Sequence, residues 1–233
     1  MRTHYGLVLA LTLGLNPGLT AALSAGTLDR IAVTVDKFVI SEQDIVEDIR
    51  VSTFLDGRPL DAASFDPPSK RAAADRLIDQ HLVLDDAAAT RANLASASDL
   101  AALLAPISAR YPSAADFRAA LAAAGITETA LTNHLMAGLK MLRYTDLRFR
   151  PEVQISEAAA RDFYAKLATQ ANDGQAAAGR SFEESRAQIE KLLTDRQVME
   201  SLDRWLKMTR ADSHIVYRET VFQDAASPGG VAP

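Results

Sequence analysis

The residues best able to carry proton-transfer or metal chemistry are scattered along the chain. Histidine is the usual proton carrier and metal ligand near neutral pH. The chain has four: His4, His81, His134 and His214. No HExxH or HxxxH spacing places two of them on one helix face, so the sequence predicts no metal site. His81 lies beside Leu77 and Leu84 on the apolar side of its predicted helix, where we expect a partly buried structural histidine.

Nucleophilic and nucleotide chemistry also lack their usual sequence signatures. The chain contains no cysteine, which excludes disulfides, thiolate catalysis and thiolate-bound metal. It has no GxSxG elbow, no phosphate-binding glycine loop with a following lysine, and no GxGxxG turn. The neighbouring carboxylates Asp85 and Asp86 point about 100° apart on a helix, so they do not converge on one substrate atom. We therefore expect no ATP, no cofactor and no catalytic set.

A basic group lies near the end of one predicted helix: Lys140, Arg143, Arg148 and Arg150. Such a group can bind an anion, but the same helix carries Asp146, and the negative end of a helix attracts cations. We therefore expect these side chains to lie on the solvent-exposed outside of the helix. The formal net charge of the chain is −5, which disfavours the broad basic surface that nucleic acids require.

The N-terminus has the layout of a secretory signal peptide. Arg2 precedes the apolar run LVLALTLGL (Leu7–Leu15), which small residues follow. The run is too short to span a bilayer as a helix, and the alternative interpretation is a buried N-terminal helix. We expect residues 1–24 to be the signal peptide, with cleavage after Ala22 or Ser24. The rest of the chain has no second apolar run of membrane length, so the mature protein is expected to be periplasmic and to have no membrane span.

Strand patterns occur at both ends of the mature chain. IAVTV (Ile31–Val35) alternates at the period of a strand, and FVI (Phe38–Ile40) can return beside it as a hairpin. The segment HIVYRETVF (His214–Phe222) also has strand character. Because an isolated hairpin is barely stable in water, we expect the C-terminal strand to join the N-terminal pair. Residues 223–233 are rich in glycine, proline and alanine and are predicted to be a disordered tail.

The chain between these strands is predicted to be helical, with a capping residue at each helix start. Ser41 with Asp44 and Ser181 with Glu184 have the spacing of a capping box. The other predicted starting residues are Asp66, Ser98, Ser113, Thr127 and Ser156. Gly125 occupies the usual position just beyond a helix end. The predicted fold is therefore mainly α, a multi-helix unit with a small antiparallel sheet formed by the N- and C-terminal strands.

Two of these helices carry predicted apolar stripes. The stripe of the helix that starts at Thr127 consists of Leu131, Leu135, Leu139, Leu142 and Phe149. That of the last long helix consists of Phe182, Ile189, Leu192, Met199, Leu202 and Trp205. We expect Trp205 to be buried where this helix docks on the N-terminal helices. Truncation of Trp205 to alanine is then expected to cost about 3–5 kcal/mol.

Five segments, taken in order, resemble one family. LDRIAVTVDKFVISEQDI (Leu28–Ile45) resembles the opening of the SurA-type periplasmic chaperones, in which two short strands lead into a capped helix. The other matching segments are RLIDQHLVLDDA, SAADFRAALAAAGITETALTNHL, VQISEAAARDFYAKL and the stretch from SFEESRAQIEKLL to HIVY. Each segment alone is a modest match, and their shared order covers nearly all of the mature chain.

The resemblance implies a division of the chain and the loss of one domain. Residues 25–171 are similar to the family's N-terminal helical chaperone domain, and residues 181–222 to the C-terminal helix and strand that pack back on it. Fuller family members carry one or two parvulin-type prolyl isomerase domains between these parts. Here residues 172–180 form only a short linker, and a folded domain of that kind needs roughly a hundred residues. The resemblance therefore implies no isomerase site and no enzyme.

What remains of the family's function is the ATP-independent chaperone core. The resemblance implies a holdase or folding factor for unfolded or outer-membrane-bound polypeptides, without isomerase activity. The alternative is an exported structural or adaptor subunit that binds one dedicated folded partner with the same scaffold. From residue type alone we select Phe54, Met136 and Met141 as candidate polypeptide contacts, since methionine suits adaptable surfaces although it often fills cores. A homodimer formed by strand or helix exchange is also expected to be possible.

Overall fold

A three-stranded antiparallel sheet joins the two ends of the described chain in a computed structural model that describes residues 29–171 and 181–223. Strand β1 (Ile31–Val35) lies between β2 (Phe38–Ser41) and β3 (Ile215–Tyr217). Thr34 pairs with Val39 on one side and with Val216 on the other. The predicted sheet of N- and C-terminal strands is therefore confirmed. The predicted signal peptide (1–24), linker (172–180) and residues 224–233 of the predicted tail lie outside the described residues.

The hairpin turn itself is tied to the C-terminal segment. Asp36 adopts a left-handed backbone (φ 49°) between β1 and β2, a conformation that aspartate tolerates better than most residues. Its backbone N–H donates to the His214 carbonyl at 3.1 Å, and its carboxylate accepts from the His214 N–H at 2.8 Å. The pairing lies within one chain, and exchange between two copies stays a prediction.

The strand character predicted for His214–Phe222 holds only as far as Tyr217. Helix α8 (Glu219–Gln223) follows instead of a longer strand, so that part of the prediction is wrong. The Arg218 N–H donates to the Ala32 carbonyl at 2.8 Å, and the Val221 N–H then turns back to the Arg218 carbonyl at 3.0 Å. A helical turn buries the adjacent side chains of Val221 and Phe222 together, which a strand, with its alternating faces, does not do.

Seven further α-helices occupy the described part of the chain between β2 and β3. They are α1 (Glu42–Leu55), α2 (Pro67–Ala89), α3 (Ala97–Ser108), α4 (Ala114–Ala123), α5 (Glu128–Phe149), α6 (Glu157–Ala171) and α7 (Phe182–Asp212). Single 3₁₀ turns cover Ala62–Phe65 and Arg150–Glu152. The mainly α prediction is confirmed, and the helix starts lie at or within a residue of the predicted positions.

Most helix starts have the capping residue that the sequence predicts, but Ser96, not Ser98, caps α3. Ser41 accepts from the Asp44 N–H at 3.1 Å and its own N–H donates back to the Asp44 carboxylate at 2.8 Å. Ser181 and Glu184 form the same reciprocal box at the start of α7. Gly125 ends α4 with a left-handed φ of 66°, the conformation that glycine adopts without a steric penalty. A side-chain cap of this kind is worth about 1 kcal/mol.

The buried side chains form two clusters. The larger one lies under the sheet and between α1, α2, the end of α5, α7 and α8, and includes Val33, Ile45 and Ile78. The smaller one joins the end of α1 to α4 and the start of α5, around Leu121 and Leu131. Helix α2 is central, because its buried residues include positions on several of its faces.

The predicted apolar stripes are only partly buried. Leu142 is 58% exposed, Leu192 is 49% exposed and Met199 is 52% exposed, so their assignment to the core is wrong. Helix α7 changes partner along its length: Phe182 makes an edge-to-face contact with Tyr164 of α6, whereas Trp205 packs on Phe149 of α5. A stripe along one straight face of α7 therefore includes residues that the neighbouring helices cover only in part.

Trp205 is half-buried rather than buried. Its ring lies 6.3 Å from the Phe149 ring, and the Arg148 guanidinium lies 5.4 Å from its centroid. The residue contacts the larger core cluster from the edge. The predicted docking of α7 on the N-terminal helices is present, but the prediction that this side chain is fully buried is wrong, because Val198, Leu202 and Leu206 are the α7 residues that enter the core.

Polar side chains tie the chain end to α2. Arg210 of α7 donates to Asp79 at 2.6 Å and to the Asp75 carbonyl at 2.7 Å, and Tyr217 donates to the Asp75 carboxylate at 2.5 Å. Nearby, the buried ammonium of Lys70 contacts the Glu42 carboxylate at 3.0 Å. Within the described residues, no helix is long and apolar enough to cross a membrane.

Candidate binding groove

A groove of about 480 Å³ opens between β2 and three helices, α1, α2 and α5. This volume falls in the range of small-molecule and peptide pockets, about 300–1,000 Å³. Each helix contributes residues three and four positions apart, which share one face. On α1 these are Asp44, Glu47, Asp48 and Val51; on α2 they are Leu77, Gln80 and His81; on α5 they are Ala130, Asn133, His134 and Ala137. Val39 and Ile40 of β2 complete the wall.

Small side chains on α5 leave the space open. Ala130 and Ala137 stand two turns apart on the face that α5 presents to the groove. Ala130 is itself buried in the smaller core cluster, into which the large residues Leu131 and Leu135 of the same part of α5 also pack. Alanine extends only one methyl group from the helix. The helices α1 and α5 can therefore pack together in the smaller core cluster and still leave a groove beside Ala137.

The floor of the groove is apolar. Ile40 and Val51 are almost completely buried beneath it, and Leu77 is partly buried at its side. Val39 is 51% exposed on the same wall. An exposed valine beside buried apolar residues gives a ligand an apolar surface to cover, which is favourable and does not depend on direction.

The rim contributed by α1 is acidic. Asp48 is buried and accepts from the Arg76 guanidinium at 2.6 Å, with His134 Nδ1 3.6 Å from its other oxygen. Asp44 is committed to the capping box with Ser41. Glu47 is exposed and forms no hydrogen bond or ion pair with the residues that the structure describes. One carboxylate of the rim is therefore free to meet a ligand.

The three histidines that the structure describes lie apart from one another. Among the described residues, no group of three histidine, aspartate or glutamate side chains is arranged to hold a metal ion. His81 is partly buried, as predicted, and its ring stacks on Phe38 at 5.1 Å, while the residue also lines the groove. His134 lies across the groove from the α1 rim, and His214 is exposed near the hairpin turn.

The residues predicted as polypeptide contacts are not brought together. Phe54 lies in an aromatic group with Tyr111 and Phe117, at ring distances of 6.2 and 6.5 Å. Met141 packs on the larger core cluster, and Met136 is partly buried on α5. None of the three lines the groove, and a role for them in binding stays a prediction. The signal that the sequence did contain was the i, i+3, i+4 spacing of acidic residues on α1.

The basic residues at the end of α5 tie helices together and do not simply solvate its surface. Arg143 pairs with Asp99 at 2.5 Å and Arg150 pairs with Asp195 at 2.8 Å, each on a different helix. The Arg143 guanidinium, followed by the Ser96 hydroxyl, holds the pKa of Asp99 well below its usual value. Both arginine side chains remain exposed, in keeping with the expected solvated face, but their pairs with other helices were not predicted.

The chain matches no protein-family model and no curated protein. The groove presents an apolar floor and a free carboxylate, and no metal cluster occurs among the described residues. Such a surface can bind a ligand, but it presents no nucleophile beside a base, which acyl-transfer chemistry requires.

Proposed function

We propose that this protein is an exported, ATP-independent chaperone that holds unfolded polypeptide segments in the groove between β2, α1, α2 and α5. In this proposal it is a SurA-type chaperone core without the parvulin isomerase domain, residues 1–24 are its signal peptide, and it acts in the periplasm on unfolded or outer-membrane-bound chains. The single observation that carries the proposal is the half-open groove with its apolar floor, because such a floor accepts many sequences.

The size of the groove suits weak and reversible binding. A polypeptide segment that covers this small apolar floor buries about 120 Å² of apolar surface, counting both partners, and gains roughly 3 kcal/mol at about 25 cal/mol per Å². Ordering the segment and restricting its motion offset most of this gain. The net affinity is then modest, and a holdase that uses no nucleotide requires such an affinity in order to release what it binds.

The test is suppression of aggregation without nucleotide. An unfolded outer-membrane β-barrel protein is diluted from denaturant with and without a stoichiometric amount of this protein, and light scattering is followed. We expect the wild-type protein to lower the scattering. Unchanged scattering with several unfolded β-barrel proteins would mean that the proposed function is wrong.

A variant that fills the groove assigns the activity to it. Ala137 is only partly buried and faces the groove, so Ala137→Trp should block the space with little disturbance of the core. The matched control is Ala122→Trp, an exposed alanine on α4. We expect Ala137→Trp to lose the suppression of aggregation and Ala122→Trp to keep it, with both proteins melting near the wild type. Equal activity of the two variants would place binding outside the groove.

Loss of the isomerase domain gives a further expectation. Catalysis of prolyl isomerisation requires a positioned active site, and the proposal contains none. In an assay with a proline-containing peptide we expect the isomerisation rate to equal the uncatalysed rate, which is slow, on the order of tens to hundreds of seconds. A clear rate enhancement would contradict the proposed absence of a parvulin site.

An adaptor that binds one folded partner is the second candidate, and one observation favours it. Leu192 and Met199 are about half exposed and stand two turns apart on one side of α7. Such a face can bind an apolar surface of a folded protein. A stoichiometric complex that survives Ala137→Trp but is lost in Met199→Ser would favour the adaptor over the chaperone.

A further inference from the structure

We propose that the groove prefers polypeptide segments in which a lysine or arginine stands beside apolar residues. This inference rests on the proposed function and names the class of segment that the groove takes. It comes from charge complementarity between the α1 rim and the ligand, combined with the apolar floor next to that rim.

The carboxylates and the absence of lysine and arginine give the lining of the groove a net negative charge. Its lining contains three carboxylates, those of Asp44, Glu47 and Asp48, and neither lysine nor arginine. Arg76 stands beside the groove and is paired with Asp48, so it neutralises the carboxylate that is most buried. The charges of Asp44 and Glu47 remain on the rim. A cationic side chain entering here meets attraction, whereas an acidic one meets repulsion.

Glu47 is the residue best placed to contact that cation. It is exposed, and no other described residue bonds it. It lies one turn before Val51 on the same helix face, so its carboxylate stands beside the apolar floor. Lysine and arginine have long apolar stems that lie along such a floor while the charged head reaches a carboxylate in water.

The apolar wall of the groove determines which residues are favoured next to the lysine or arginine of the bound segment. Val39 is half-exposed on β2, and Leu77 and Ala137 face the same space from α2 and α5. A segment that places its cation at Glu47 therefore brings the residues next to it against Val39 and Leu77. Valine or leucine at those positions covers apolar surface, whereas a second charge there loses its hydration without finding a partner.

The test is a comparison of labelled peptides by fluorescence anisotropy with the full-length protein. The peptides are short valine- and leucine-rich sequences that differ only in a central lysine, glutamine or glutamate. The variants are Glu47→Gln and Glu47→Lys, which keep a residue with good helix propensity at an exposed position. The control is Glu152→Gln, an exposed carboxylate that lies beyond the other end of α5 and has no bond with a described residue.

Exposed ion pairs are weak, so the expected changes are modest. Glu47→Gln should weaken the binding of the lysine peptide about threefold, and Glu47→Lys should weaken it about tenfold. The affinity for the glutamine peptide should change little. The preference of the wild-type protein for the lysine peptide should fall as salt is raised and the screening length drops below about 8 Å. Glu152→Gln should bind all three peptides as the wild type does.

Other outcomes separate this inference from the proposed function. Equal binding of all three peptides, with suppression of aggregation intact, overturns the charge preference and leaves the chaperone proposal standing. Equal weakening by Glu47→Gln and Glu152→Gln assigns the preference to the overall negative charge and also overturns the inference. Absence of binding to every peptide, together with unchanged light scattering in the aggregation assay, contradicts both.

Discussion

Arg210 provides the sharpest test of how the chain end is held. Its guanidinium donates to Asp79 at 2.6 Å, to the Asp75 carboxylate at 3.2 Å and to the Asp75 carbonyl at 2.7 Å. The same Asp75 carboxylate accepts from the Tyr217 hydroxyl. Replacing Arg210 with methionine keeps the apolar stem and removes all three donated bonds at once.

The magnitude follows from the exposure of the three partners. A hydrogen bond to a charged group is worth about 1.5–3 kcal/mol, and fully exposed ion pairs are worth about 0–1 kcal/mol. The Arg210 side chain is 27% exposed, and those of Asp75 and Asp79 are 41% and 31% exposed, so the solvent screens part of each interaction. Since the three bonds share one side chain and are not additive, we expect Arg210→Met to lower the free energy of unfolding by about 2 kcal/mol.

The assay is equilibrium unfolding in urea together with a thermal melt. A loss of about 2 kcal/mol corresponds to a decrease in Tm of roughly 4–8 °C for a chain of this size. The control is Arg204→Met on the same helix, because Arg204 is exposed and, among the described residues, its side chain donates only to Ser201 within α7. We expect Arg204→Met to change stability by less than about 0.5 kcal/mol. If the two variants unfold alike, the contact between α7 and α2 does not hold the chain end.

Two further predictions concern the same end of the molecule. Trp205→Ala should lower the free energy of unfolding, measured in urea, by about 2 kcal/mol. This is less than the loss of about 3–5 kcal/mol for a fully buried aromatic residue, because Trp205 is half-buried. A variant as stable as the wild type would mean that α7 is not packed on Phe149. Burial, followed by the hydrogen bond to Asp75, raises the pKa of Tyr217. The neutral phenol therefore contributes its full stabilisation at a pH below the pKa of the unfolded chain, which is about 10. This contribution is lost as the pH rises through the raised pKa of the folded state. Thermal melts between neutral and alkaline pH should show a smaller alkaline loss for Tyr217→Phe than for the wild type, and identical pH profiles would contradict the assignment.

The local structure was largely predictable because it depends on neighbouring residues. The capping box of Ser41 and Asp44 and the end of α4 at Gly125 each involve residues within a few positions in the sequence. The pairing of β1 with β3 was predictable for a different reason. A hairpin alone is barely stable, so the only other strand pattern in the mature chain had to lie near it.

The burial of individual side chains and the groove were not predictable from one element at a time. Leu142 and Met199 satisfy a helical stripe, but they are exposed because the neighbouring helices contact α5 and α7 on other faces. The groove needs α1, α2 and α5 together, and its openness depends on Ala130 and Ala137, which the sequence alone does not distinguish from other alanines. The end of β3 at Tyr217 likewise depends on the packing of Val221 and Phe222 against the core.

The location of the groove bears on the proposed loss of a catalytic domain. Every residue that lines the groove comes from β2, α1, α2 and α5, all of which precede α6 in the chain. The C-terminal strand β3 contacts the groove only indirectly: it pairs with β1, and β1 pairs with β2, which lines the groove. Helix α2 separates the two regions: Asp75 and Asp79 meet Arg210 on one face, and Leu77 and His81 face the groove about half a turn away. A segment inserted between α6 and α7 would therefore leave the residues that line the groove and the pairing of β1 with β3 in place.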